Sequence, residues 1–147
     1  MEVYSVLTRE DAQTHVRSIA FENDSAAAPV RIQKLCLQCH SLANSMGWWV
    51  NPSTGEAIWR NFGEMIALIH SELSEALEGA RKNLPSDHIE GFSMVEEELA
   101  DALIRIFDLA GAMDLNLGEA FQRKMEYNQH REDHKLHNRS QEGGKKF

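Results

Sequence analysis

The chain lacks most of what would mark an exported, membrane-bound or nucleic-acid-coating protein. Only two cysteines occur, Cys36 and Cys39, so a disulfide-stapled scaffold is excluded. No apolar run approaches the roughly 18 residues of a membrane-spanning helix. The start shows no positive stretch leading into an apolar one, so neither secretion nor membrane insertion is expected and the cytoplasm is the expected address. Excess positive charge is missing too: net charge is −8 and the sequence pI near 5.3. A face that wraps polymeric nucleic acid needs many Lys and Arg, so that class of partner is excluded. An acidic chain can still hold a small phosphorylated molecule if metal ions neutralise the contact. Finally, no stretch of alternating polar and apolar residues is long enough for a sheet, and no internal repeat is present.

What is there is helical nearly throughout, over 147 residues that make one domain. Thr8 with Asp11 reads as the cap of a short helix to about residue 20, within an extension covering 1–28. A second helix is expected over about 29–46, with Ile32, Leu35, Cys36, Cys39, Leu42 and Met46 inward and Gly47 closing it. Residues 48–55 read as a loop, marked by Asn51, Pro52, Ser53 and Gly55. Further helices are expected over about 60–83, 93–113 and 117–137, the first of them stopped by Pro85. The fold class is therefore all-α: a domain over 29–138, a bundle of four to five helices, then a tail over 139–147. The wide apolar faces, with Ile104 and Phe107 off the main arc, suit a bundle completed by pairing with copies of itself.

One misplacement needs explaining. At about 100° per residue, Met65, Leu68, Ile69, Leu73 and Ala76 form the inward arc of the 60–83 helix. Glu72 falls near the middle of that arc and Glu75 at its edge. An ionised carboxylate there costs roughly several kcal/mol unless a cation or hydrogen-bond donors meet it. The next helix supplies a complement. Its core face is expected to be Val95, Leu99, Ala102, Ile106, Leu109 and Met113. Glu98 and Asp101 flank that face, Arg105 lies between them and Asp108 follows one turn on. A single Glu-x-x-Glu is usually a solvated face, but two acidic pairs on consecutive helices, one inside an apolar arc, favour a metal site. Four hard oxygen ligands, Glu72, Glu75, Glu98 and Asp101, suit Mg²⁺ or Mn²⁺ rather than zinc.

The last helix carries Lys124, Asn128 and Arg131 on one stripe with Tyr127 beside it, an arrangement able to clamp phosphates opposite such a metal. With Glu72-Leu-Ser-Glu75, Glu97-Glu98-Leu-Ala-Asp101 and Lys124-x-x-x-Asn128-x-x-Arg131, the sequence resembles the MazG-like all-α nucleotide pyrophosphohydrolases over about 32–131. Ala100 stands where that family often has Gly. The phrasing of residues 67–77 is most similar to phage-associated members. The resemblance implies Mg²⁺-dependent cleavage of a nucleoside triphosphate to monophosphate and pyrophosphate, with Mn²⁺ able to substitute, in a homodimer or homotetramer. It implies that Glu72, Glu75, Glu98 and Asp101 hold two or more metals. One of them, or Glu97, would accept the proton of an attacking water, while Lys124 and Arg131 offset charge on pyrophosphate. Asn61 and the loop tryptophan Trp59 are candidates for base contacts, and some phage relatives suggest a purine substrate such as dGTP.

Two rival readings use other residues. Cys36-Leu-Gln-Cys39-His40 matches the c-type haem attachment pattern, which would make the chain an electron carrier; both cysteines also fit an apolar helix face as small hydrophobes. A non-catalytic oligomeric helical module is the other. His130, His134 and His137 recur at helical spacing, as metal ligands or as a polar face.

Overall fold

The computed structural model describes residues 27–145. The expected helix over residues 8–20 and most of the 1–28 extension lie outside them. The described chain is an all-α bundle: α1 Ala27–Ser45, α2 Phe62–Lys82, α3 Met94–Ala112, α4 Leu117–Gln129, a 3₁₀ turn Glu132–His134 and a one-turn α5 Leu136–Arg139. Each long helix begins and ends for a local reason. Asn61 caps α2 by accepting from the Glu64 N–H, and Asn83 closes it in the left-handed region at φ 53°. Ser93 and Glu96 cap α3 reciprocally, each side chain satisfying the other's backbone N–H. The α1–α2 loop is tied by an antiparallel bridge between Val50 and Ala57, and the α2–α3 loop by one between Pro85 and Ser93.

Helix α3 is central, packing against α2 on one side and α1 on the other, while α4 rests on α1. Two glycines permit the close approaches. A Cβ at Gly111 would stand 2.5 Å from the Cys36 carbonyl oxygen, and one at Gly118 would stand 2.1 Å from that of Pro29. The apolar core is small: Trp49, Met65, Ile69 and Leu109, backed by Ala43, Ile66, Ile106, Ala112 and Met113.

Two expectations are corrected here. Leu73 and Leu99 are exposed rather than core, because α4 lies on α1 and leaves these faces of α2 and α3 uncovered among the described residues; Leu35 and Leu42 of α1 and Met46 just after it are exposed as well. The last helix stops at Gln129, not near residue 137. Arg131 leaves the helical region (φ −69°, ψ 125°), and its guanidinium clasps Asp133 two residues on, with Nε to Oδ1 at 2.9 Å and Nη2 to Oδ2 at 2.6 Å. That local turn displaces helix continuation and separates His130 from His134 and His137. Within the tail, Arg139 Nε donates to the Lys145 carbonyl at 3.2 Å.

Candidate metal centre

Helices α2 and α3 bring Glu72, Glu98 and Asp101 together, with one carboxylate oxygen of each within 4.8 Å of the others. Among the described residues this is the one place where three or more His, Cys, Asp or Glu side chains converge. Glu72 and Glu98 are buried and Asp101 opens to solvent. All three donors are hard oxygens, with no sulfur or imidazole among them, a set that fits Mg²⁺ or Mn²⁺. Glu75 is exposed one turn below Glu72; it is not in the three-way convergence, but its charge reaches Glu98.

The electrostatics are those of a site short of positive charge. Glu98 is pushed up to about 7, first by desolvation, then by its hydrogen bond with Glu72 and by the charges of Glu75, Glu72 and Glu97. Asp101 is raised by desolvation and by Glu72, with Arg105 pulling the other way. The cluster's own cation is Arg105, whose Nε donates to Glu72 Oε1 at 2.6 Å. Glu97 faces elsewhere. Ser86 Oγ donates to its Oε2 at 2.6 Å, and His88 Nδ1 lies 2.5 Å from Oε1. Those partners, Ser86 foremost, hold Glu97 below the usual carboxylate range, and Glu97 in turn raises His88.

Beside the cluster lies a pocket of about 210 Å³ between α1, its following loop and α3. Asp101 and Arg105 form the edge shared with the cluster, Arg60 and Asp108 are further polar lining, and Leu42, Met46, Trp48 and Met65 are apolar wall. Asp108 is anchored from the other side: Trp49 Nε1 donates to its Oδ1 at 2.9 Å and Oδ2 at 3.2 Å, and His40 Nδ1 lies 2.9 Å from Oδ1. The Trp49 and His40 rings meet edge to face at 5.2 Å. Sequence reasoning reached Arg105 and Asp108 through their helical spacing from Asp101. It missed Arg60, Trp49 and His40 as parts of this neighbourhood, since Arg60 and Trp49 come from the α1–α2 loop and His40 from α1, and only the packing of both on α3 brings them together.

The basic stripe is not brought to the carboxylates within one chain. Lys124 and Arg131 flank the Tyr127 ring, at 4.6 and 5.7 Å from its centroid, and Tyr127 and Arg131 line a groove of about 850 Å³ that shares no residue with the acidic pocket. Asn128 turns inward, its Oδ1 buried without a hydrogen-bond partner. Asn61 is occupied as the α2 cap, and Trp59 is well exposed on the loop before it. Cys36 has no exposed surface and forms part of the α1–α3 contact, its thiol pushed up by burial; Cys39 is half-buried with its thiol raised likewise. No helix among the described residues is long and apolar enough to cross a membrane.

Compared with known proteins, the chain matches no protein-family model, no curated sequence and no solved structure.

Proposed function

We propose that the chain is a divalent-metal-dependent nucleotide pyrophosphohydrolase of the MazG-like kind, converting a nucleoside or deoxynucleoside triphosphate to the monophosphate and pyrophosphate. One observation carries the reading. Three carboxylates, two of them buried, converge between α2 and α3 with a single arginine against them. A protein that placed them there for stability alone would meet them with donors. Bound there, Mg²⁺ or Mn²⁺ would supply charge neutralisation of the triphosphate and activation of water. Glu72, Glu98 and Asp101 are the ligands in this reading. Glu75, exposed beside them, completes the set or takes a proton from the water. Arg105 holds Glu72 in place and offsets the charge that remains.

The resemblance in Glu72-Leu-Ser-Glu75 and Glu97-Glu98-Leu-Ala-Asp101 adds the nucleotide to this chemistry. It also supports a purine such as dGTP, a phage-type role in a bacterial or infected-host cytosol, and a homodimer or homotetramer. Exposed Leu73, Leu77, Leu99 and Leu103 on α2 and α3 fit burial against a second copy. The non-catalytic module predicts the same association but neither Mg²⁺ binding nor product.

The deciding experiment is pyrophosphate release across the common ribo- and deoxynucleoside triphosphates, with and without Mg²⁺. The wild-type chain releases pyrophosphate only with the metal, fastest on a purine. Glu98→Gln and Asp101→Asn abolish release while the helical circular dichroism stays unchanged. Full activity in both variants overturns the proposal.

A further inference from the structure

The carboxylate cluster cannot receive a polyphosphate unaided, because three carboxylates against one guanidinium repel it. Once divalent metal offsets the acids, the cations lining the adjoining pocket decide where the phosphates lie. Two guanidiniums line it, those of Arg105 and Arg60. Arg105 spends its Nε on Glu72, and a guanidinium presents a planar fork with further N–H donors. Arg60 is half-buried and, among the described residues, makes no ion pair. A half-buried arginine without a carboxylate, set in a pocket whose edge is Asp101, is a site for an anion that arrives with its own cation.

The alternative clamp is poorer on the same grounds. Arg131 is held doubly by Asp133, Lys124 sits on Tyr127, and the groove there also carries Glu126 and Glu132. The pocket's size agrees with a partial role. At about 210 Å³ it is smaller than the roughly 300–1,000 Å³ of sites that enclose a whole drug-sized ligand. It therefore takes one portion of a ligand whose remainder extends over the acids.

From this we propose that Arg60 and Arg105, rather than Lys124 and Arg131 of the same chain, are the phosphate-binding residues, and that their ligand is a metal-complexed linear polyphosphate. The inference rests on the hydrolase reading and adds to it where the phosphates bind. Trp48, on the pocket wall and well exposed, gives a fluorescence signal for occupancy.

The test uses inorganic tripolyphosphate with Mn²⁺, measured by titration calorimetry and tryptophan fluorescence on the full chain. Binding of Mn²⁺ alone is measured beside it. Arg60→Met weakens tripolyphosphate at least about tenfold, the scale of a lost charge-assisted hydrogen bond, and leaves Mn²⁺ affinity unchanged. Arg60→Lys recovers part of the loss, which a merely structural role would not require. Arg105→Lys weakens tripolyphosphate while Mn²⁺ still binds. The double variant Lys124→Met/Arg131→Met stays near wild type. Equal binding by Arg60→Met and wild type, or loss confined to the Lys124/Arg131 variant, overturns the inference. In both of those cases Mn²⁺ binding and pyrophosphate release by the wild type would leave the hydrolase reading standing. A wild-type chain that binds no Mn²⁺ brings down the hydrolase reading itself, and the inference with it.

Discussion

Helix α3 buries three carboxylates to nearly the same depth, Glu97 at 7%, Glu98 at 8% and Asp108 at 7% exposure, yet it treats them in two ways. Glu97 meets a hydroxyl and an imidazole from the α2–α3 loop. Asp108 meets the indole N–H of Trp49 and the imidazole of His40. Glu98, between them in sequence, meets carboxylates instead: it hydrogen-bonds Glu72 and feels Glu75 and Glu97. Surface exposure is equal, and the partners decide the sign: desolvation, the first cause of the rise at Glu98, is compounded there by Glu72, whereas at Glu97 the Ser86 hydrogen bond outweighs it. Glu97 is lowered where Glu98 is raised to about 7. The fold can supply donors to buried acids, and does so on both sides of the cluster. At Glu98 it supplies carboxylates instead, which in the proposed reading a metal ion would meet.

The largest expected effect breaks that contrast at its centre. Glu98→Gln removes Mn²⁺ binding, whereas Glu97→Gln keeps it within about tenfold of wild type, the low end of what a supporting residue costs a metal site. Mn²⁺ titration followed by electron paramagnetic resonance reads both. If Glu97→Gln abolishes binding as fully as Glu98→Gln, Glu97 is a ligand and the two acids are not different in kind.

How far this was legible in the sequence follows from which forces are local. Glu72 inside an apolar arc was visible because helical period alone places it, and the same period paired Glu98 with Asp101. Asn61, Ser93 and Asn83 sit where the helix ends were expected to within a residue or two. The exposure of Leu73 and Leu99 was not legible, since it depends on α4 choosing α1 as its partner, a long-range choice that helical period does not encode. The break after Gln129 was hidden as well. No Gly or Pro marks it; an Arg131–Asp133 clasp competes with helix propensities too even to announce the outcome. Arg60 was passed over because the sequence puts it at the start of the 60–83 helix, whereas the helix begins at Phe62 and the loop before it brings Arg60 to the same pocket as Asp101.

Stability gives the next contrast. Asp108→Asn keeps an acceptor for Trp49 but loses the charge that His40 meets, so it lowers the free energy of unfolding by about 1–3 kcal/mol. Urea denaturation of the metal-free chain measures it, with the emission of buried Trp49 as the probe. Glu98→Gln under the same conditions is neutral or stabilising near pH 8, because it deletes an unmet charge. Equal losses in the two variants would mean that Glu98 is as well satisfied as Asp108.

The remaining effect is the pH dependence of the metal-free chain, and its sign tests the comparison most directly. Glu98 rises from an ordinary 4.5 to about 7 on folding, so between those values the native state holds more protons than the unfolded one. Stability therefore falls as pH rises from about 4.5 to about 7 and levels off above. Glu97 works in the opposite sense: lowered on folding from 4.5, it adds stability present above that value and lost as pH falls toward its native one. His88, raised from 6.5 by Glu97, adds a contribution present below that value and lost as pH rises through its native one, small because the imidazole is exposed. Thermal melts from pH 4 to pH 8 separate the three. Glu98→Gln flattens the fall between about 4.5 and 7, and His88→Asn removes only a shallow slope above 6.5. Saturating Mg²⁺ reverses the fall, since the cation binds the ionised cluster and stabilises the fold by mass action. A wild-type chain whose stability climbs steadily through that window without metal would show Glu98 to be a satisfied carboxylate, and the cluster would then need no cation to explain it.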